Sequence, residues 1–278
     1  MTLPTVSIVV PSFNQARFLD EALRSLINQR DQIHELIVMD GGSTDGSREI
    51  IERYQSDLTH WQSEKDNGQS NAIINGFSRT TGDILARVNS DDALLPRAVR
   101  TMREAFDTQA TTGLIEGNTI IIDEDSFVIR CDQRAGPSHR WARLGYMRIH
   151  QPSTFFRKSL YNRVGGIDDL FHCTMDTDLW YRMLGQTDTL RVNRYIGVHR
   201  IHTLAKGENE RWVQMYANER KVLDQRYPQY RKSQALHILG RIALNAAQIF
   251  GRRAANARRD TNTYKGMDLN KVIQQRIW

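Results

Sequence analysis

The chain has 278 residues, 40% hydrophobic and 25% charged, an ordinary globular composition that excludes wholesale disorder. Its two cysteines, Cys131 and Cys173, exclude a disulfide framework and a multi-cysteine zinc site, and suit a reducing compartment. The net charge of +6 is unevenly placed: residues 226–259 hold eight Lys or Arg and no Asp or Glu, leaving the rest at −2, so a polyanionic partner is expected for the tail alone.

No apolar stretch reaches the roughly 18 to 20 residues needed to span a bilayer. A β-type run, Val6–Pro11, stands where a signal sequence would. The expected location is the cytoplasm, free or on the cytoplasmic face of the inner membrane.

In chain order, Val6–Val10 is a β-branched run stopped by Pro11, and Ala16–Asn28 places Phe18, Ala22 and Leu26 on one helical face. Glu35–Asp40 predicts a strand, Ser43–Tyr54 a helix, Leu58–Ser63 a weaker strand and Gln69–Thr80 a helix. Ile84–Asn89 predicts a strand and Pro96–Thr108 a helix with proline in its first turn. This alternation predicts an α/β fold with a parallel sheet covered by helices. Gly113–Asp123 and Phe127–Asp132 read as consecutive strands. Beyond a Gly-Pro-Ser patch at 136–138 come a short run at Ser153–Phe156, a helix from about Asp176 to Leu184 and a strand at Leu190–Ile201. From Glu208 the pattern is helical to about Ala257.

Polar motifs stand at the ends of the first strands, where an α/β sheet opens its crevice. They are Pro11-Ser12-Phe13-Asn14, then Asp40-Gly41-Gly42-Ser43-Thr44-Asp45-Gly46-Ser47, then Glu64-Lys65-Asp66-Asn67-Gly68-Gln69-Ser70, and Asn89-Ser90-Asp91-Asp92. Neither GxGxxG after the first strand nor GxxxxGK[ST] occurs, which argues against a dinucleotide dehydrogenase and a P-loop NTPase. Carboxylates such as Asp91 at a strand end can hold Mg²⁺ or Mn²⁺ together with phosphate oxygens and water. Equally, Ser90 or Asp92 can cap the following helix. Asp40 can accept from a base or ribose, or Ser43 alone can shape its turn. Four such motifs at successive turns favour a functional crevice.

The combination Pro-Ser-Phe-Asn, Asp-Gly-Gly-Ser-Thr-Asp-Gly, Asp-Asn-Gly-Gln-Ser-Asn-Ala-Ile-Ile-Asn-Gly and Asn-Ser-Asp-Asp resembles the family 2 glycosyltransferases of GT-A fold over roughly residues 5–205. The resemblance implies inverting sugar transfer from a nucleotide-diphosphate sugar, with UDP-sugar the expected donor and Mn²⁺ or Mg²⁺ on the diphosphate. It implies that Pro11, Phe13 and Asp40 hold the nucleobase and that Lys65, Asp66, Gly68 and Gln69 face the nucleoside. The family's D-x-D falls on Asn89-Ser90-Asp91, which leaves Asp91 as metal ligand and Asn89 as a neutral contact to ribose or metal. His150-Gln151-Pro152-Ser153-Thr154-Phe155-Phe156 resembles the acceptor-side strand. Met175-Asp176 aligns with the Glu-Asp dyad before a helix, making Asp176 the general base, with Met175 departing from the acidic pattern. A carboxylate there suits the chemistry, because an acceptor hydroxyl is a poor nucleophile until its proton is removed. Asp178, two residues on, falls about 200° around a helix from Asp176 and is not expected to share its task, but stands with His150, Gln151 and Trp180 as an acceptor-side candidate. His202 matches a late histidine that completes the metal site in many relatives. Trp180 either stacks on an acceptor sugar or belongs to the core with Leu179 and Leu184.

The expected organisation is a GT-A domain over 1–205, with a nucleotide-sugar half to about 110 and an acceptor half from about 111, followed by a basic helical extension over 206–278. Resemblance to bacterial surface-polysaccharide enzymes implies a saccharide or lipid-linked saccharide acceptor. The alternatives are a nucleotide-sugar-binding protein without transferase activity, and a nucleic-acid binder. The latter leaves the strand-end carboxylates unexplained, so no nucleic-acid partner is expected. From Leu236 to Arg252 one narrow polar stripe (His237, Arg241, Asn245, Gln248, Arg252) leaves a broad apolar face. Such a helix either lies on an anionic membrane or packs on the body or a second subunit.

Overall fold

The computed structural model describes residues 3–133, 138–142, 149–203, 210–230 and 252–275. The Leu236–Arg252 stripe, all but its final residue, lies outside these, as does the Gly-Pro pair at 136–137.

The first half alternates as the pattern predicts. β1 (Val6–Ser12), α1 (Ala16–Ile27), β2 (Glu35–Asp40), α2 (Ser47–Arg53), β3 (His60–Ser63), α3 (Gln69–Ser78) and β4 (Ile84–Arg87) give four parallel strands in the order β3-β2-β1-β4. Every residue of β1, β2 and β4 is buried, as expected of parallel strands covered on both faces. Alternation divides the core in two. Ile8, Val10, Leu36 and Val38 meet Leu19, Leu23 and Leu26 of α1 on one side. Val9, Ile37, Met39 and Leu85 meet Ile73 and Phe77 of α3 on the other.

The second half makes the sheet mixed, as expected of a Rossmann-like mixed sheet flanked by helices. β5 (Ala93–Leu94), α4 (Ala98–Thr108), β6 (Leu114–Ile122), β7 (Val128–Asp132), α5 (Ser138–Ala142), β8 (Thr154–Arg157), α6 (Lys158–Arg163), α7 (Met175–Leu184) and β9 (Thr189–Arg200) complete a nine-stranded mixed sheet in the order β3-β2-β1-β4-β8-β6-β9-β5, with β7 paired to β6. β8 enters antiparallel between β4 and β6, so the acceptor-side strand becomes the immediate neighbour of the strand ending in Asn89-Ser90-Asp91-Asp92.

Two helices start later than periodicity suggests, for local reasons. Residues 43–46 are a turn, and Gly46 at φ 95° precedes Ser47 at the start of α2. Arg97 at φ 64° separates Pro96 from α4.

The C-terminal part is helical where described: α8 (Glu210–Arg226), α9 (Arg252–Tyr264) and α10 (Leu269–Gln274). These helices are built into the body. Leu223 of α8 joins the core beside Trp180 and Met183. Leu269 and Val272 of α10 pack on Ile120, Ile122 and Val128, and Thr261 of α9 accepts a hydrogen bond from the Cys131 amide at 2.9 Å. No helix among the described residues is long and apolar enough to cross a membrane.

Candidate active site

The carboxyl ends of the parallel strands converge, and register places Ser12, Asp40 and Ser63 side by side. Asp40 is buried, and both its oxygens are engaged. Oδ1 accepts from Ser43 Oγ at 2.5 Å; Oδ2 accepts from Ser63 Oγ at 2.7 Å and from the Ser43 and Gly42 amides at 2.9 and 3.2 Å. In this structure Asp40 therefore ties the turn through both oxygens. Gly42 adopts φ 80°, and a Cβ there would meet the Lys65 amide at 3.0 Å, so only glycine lets these two turns close together. Asp66 lies against Gly41 and accepts from the Gly68 amide at 2.7 Å. Pro11 is buried within β1, whereas Phe13 is 59% exposed at the crevice rim, a large apolar face free to meet a ligand. Asp45 holds the starts of two helices, accepting from the Ala16 amide at 2.9 Å and from Ser47 Oγ at 2.6 Å. Burial raises its pKa, but these bonds outweigh it and the net shift is downward.

At the end of β4, Asn89 is a relay. Its Oδ1 accepts from Gln69 at 3.1 Å, and its Nδ2 donates to Asp92 at 3.0 Å. That explains the departure from the acidic pattern: an aspartate at 89 would face the buried Asp92 carboxylate with like charge and no proton to donate. Ser90 is buried in the turn that the Asp92 amide closes on the Asn89 carbonyl at 3.1 Å. The other Asp92 oxygen accepts from the Arg200 amide at 3.1 Å and lies 3.0 Å from His199 Nδ1. Burial and the neighbouring Asp91 charge push the Asp92 carboxyl up. Burial lowers the His199 pKa, but its hydrogen bond to Asp92 and the charges of Asp92 and Asp91 outweigh it, so the net shift is upward.

Asp91 and His202, 111 residues apart in sequence, meet with Oδ2 and Nε2 at 2.9 Å. His202 is buried against Phe18, with ring centroids 4.6 Å apart, and among the described residues its Nδ1 has no hydrogen-bond partner. Arg200 secures this corner: Nε donates to the Asp91 carbonyl at 3.0 Å, Nη2 pairs with Glu21 at 2.7 Å, and the guanidinium lies over Phe18. Among the described residues no group of three or more His, Cys, Asp or Glu is placed to hold a metal. One carboxylate and one imidazole nevertheless fit a Mn²⁺ or Mg²⁺ ion that takes its other positions from substrate phosphate and water, imidazole favouring Mn²⁺.

Across the crevice Asp176 occupies the first turn of α7. Its Oδ2 is 2.7 Å from Arg87 Nη2, the last residue of β4. Arg87 is 5% exposed, and its Nε and Nη1 are buried with no partner among the described residues. Gln151 donates to the Arg87 carbonyl, and its own Oε1 has none among them either. His150 Nε2 lies 2.8 Å from Asp132 and its ring 6.4 Å from that of His199. Asp178 and Trp180 were candidates for the acceptor side, and the structure instead puts them in the interior. Asp178 is fully buried against Arg182, Arg226 and Tyr227, while Trp180 packs edge-on against Phe156 at 5.8 Å. Met175 is buried too, its sulfur 2.9 Å from Ser70 Oγ.

Residues 7–166 match the model of the family described as Glycosyl transferase family 2. The chain belongs to that family. An uncharacterized glycosyltransferase of Nostoc sp. is 31% identical over 130 residues, 44% of this chain and 40% of that protein, so this match spans well under half of the relative's length. Among solved structures, Staphylococcus aureus TarS 1–349 in complex with UDP-GlcNAc superposes with a TM-score of 0.62 at 14% identity, covering 91% of this chain and 79% of that one. The Pyrobaculum calidifontis mannosyltransferase PcManGT in complex with GDP-Man and Mn²⁺ gives 0.57 at 19% identity, covering 99% and 80%. At these identities the likeness is one of fold, and the fold is GT-A, as expected of this family 2 member.

Sequence reasoning missed three residues of this family 2 site. Arg87 carries a readable signal, a charge ending the apolar run Ile84-Leu85-Ala86. His199 and Arg200 carry none, because their partners stand more than 100 positions away.

Proposed function

We propose that this chain is a metal-dependent, inverting glycosyltransferase that moves a sugar from a nucleotide-diphosphate sugar, UDP-linked by preference, to a hydroxyl of a saccharide or lipid-linked saccharide. The observation that carries the reading is the convergence of two carboxylates from opposite walls on the end of β4: Asp91 beside His202, and Asp176 beside Arg87. Asp176 Oδ1 has no protein hydrogen bond among the described residues, so it is available to an acceptor hydroxyl. That oxygen takes the hydroxyl proton as the acceptor oxygen bonds to the anomeric carbon. The bond from that carbon to the diphosphate oxygen breaks on the opposite face, and its electrons leave with the nucleoside diphosphate. Arg87 holds the carboxylate in place through Oδ2. Asp91 and His202 would hold a divalent ion, which when bound supplies charge for the departing diphosphate.

Surface-polysaccharide synthesis, with the enzyme at the cytoplasmic face of the inner membrane, fits a lipid-linked acceptor. The test is transfer from UDP- and GDP-sugars to saccharide acceptors with Mn²⁺, with the product's anomeric configuration read by NMR. An inverted glycoside supports the reading. Donor binding without any transfer would instead make the chain a nucleotide-sugar-binding protein, and a retained configuration would remove Asp176 as base.

A further inference from the structure

α8 turns one stripe toward the body: Trp212, Met215, Glu219 and Leu223, with Tyr227 just past its end, are half-buried or buried at steps of three or four residues, and Arg220 and Asp224 flank them half-buried. Glu219 interrupts this otherwise apolar series and is only 8% exposed. Its Oε1 accepts from the His172 amide at 2.8 Å, and its Oε2 from the Cys173 and Thr174 amides at 2.9 and 2.8 Å and from Thr174 Oγ1 at 2.9 Å. Three successive N–H groups thus converge on one carboxylate, an anion-binding nest at the positive end of α7. Thr174 is the N-cap of α7, so the carboxylate that holds its amide and hydroxyl fixes the residue from which this helix starts.

The same segment is gripped from the donor side. Ser70, near the start of α3, donates to the Phe171 carbonyl at 2.6 Å. Two residues beyond Thr174 stands Asp176. A second tie runs from α8 to α7, where Tyr227 Oη donates to Asp178 at 2.7 Å and Arg226 pairs with it at 3.1 Å.

We propose that Glu219 is a positioning residue for the transfer reaction: by clamping residues 172–174 it sets where α7 begins, and so where Asp176 meets the acceptor. The proposal rests on Asp176 as the base. α8 is then a working part of the acceptor half. Without the carboxylate, the buried Thr174 amide and the half-buried His172 and Cys173 amides lose their acceptor, and the segment must shift toward water. A misplacement of about 1 Å at a reacting group can cost roughly a hundredfold in rate.

The test uses the full chain with Glu219→Ala and Glu219→Gln. Glutamine keeps one acceptor oxygen but turns an NH₂ toward a neighbouring amide, so its effect should be intermediate. The expected result is kcat for transfer reduced about tenfold by Glu219→Gln and about a hundredfold by Glu219→Ala. Nucleoside diphosphate affinity should stay within about twofold, because the strand-end turns do not touch Glu219. Amide hydrogen exchange should speed up in the peptide covering 170–178 and stay unchanged over β1 and β4. Unchanged kcat, or exchange and donor affinity failing together across the whole molecule, would overturn the proposal. If Glu219→Ala does not fold, Glu219→Gln carries the same readings. The exchange experiment reads the clamp independently of transfer, so a wild-type protein that transfers nothing would count against the Asp176 reading while the clamp is judged on exchange alone.

Discussion

Arg87 Nη2 stands 2.7 Å from Asp176 Oδ2, a buried cation at the end of a central strand fixing a carboxylate on a helix 89 positions away. The pairing leaves Arg87 with two buried N–H groups unmatched among the described residues and Asp176 about one-third exposed, so one partner is anchored and the other faces the crevice. Replacing Arg87 by Met keeps the volume and removes the hydrogen bond. Steady-state kinetics should show kcat down about tenfold or more, as expected when a positioned general base loses its orientation. Arg87→Lys should recover only part, because a point charge does not reproduce the planar fork. Equal kcat in wild type and Arg87→Met would remove Arg87 from the site.

Asp91→Ala should abolish metal-dependent nucleotide binding in calorimetric titrations, since it removes the only charged oxygen of the Asp91–His202 pair. Asn89→Asp, which restores the family's acidic residue, should reduce both stability and activity by setting two carboxylates about 3 Å apart across the present Asn89–Asp92 bond. A gain of activity in that variant would show that Asn89 is not a donor to Asp92.

Asp178 carries stability rather than chemistry. Asp178→Ala strips the shared acceptor from Arg182, Arg226 and Tyr227. Breaking a buried charge network of this kind costs about 3–5 kcal/mol, to be read as a lower urea midpoint with kcat of the folded enzyme unchanged. A wild-type midpoint with lost turnover would return Asp178 to the acceptor site.

Much of the donor half was legible because its signals are local. Glu35–Asp40 reads as a strand from six consecutive residues and is one, and the turn chemistry of Asp40, Gly42 and Asp45 lies within a few positions. The acceptor half was less legible because its order is made by distant partners. The two-residue β5 has no period to detect, and the antiparallel entry of β8 is decided by pairing to β4 and β6. Arg200, His202 and Glu219 act on residues 45 to 179 positions away. Glu219 left one trace, a carboxylate in an apolar helical stripe, which reads equally as a solvated position until α7 is seen against it.

The pH dependence of folding should reflect Glu35. Burial raises its pKa, but hydrogen bonds from Ser7 Oγ, from the Thr81 amide and hydroxyl at 2.7 and 2.8 Å, and from the Gly82 amide at 3.3 Å shift it below the ordinary value of 4.5. A carboxyl with a lowered folded pKa stabilises fully above its unfolded value and loses that contribution as pH falls through the folded one. Urea unfolding from pH 7 downward should therefore show stability flat above about pH 5 and declining below it. Glu35→Gln should be less stable at pH 7 and flatter below pH 5. An identical acid slope in both proteins would assign the loss to other carboxylates.

Asp176 is the residue on which the proposed transfer depends. The decisive measurement compares wild type with Asp176→Asn in the same preparation with Mn²⁺, titrating the nucleotide-sugar donor and following glycoside formed per nucleoside diphosphate released. The prediction is donor affinity unchanged and transfer reduced by roughly a hundredfold or more. Transfer by Asp176→Asn at the wild-type rate, with the donor bound equally well by both, would contradict it.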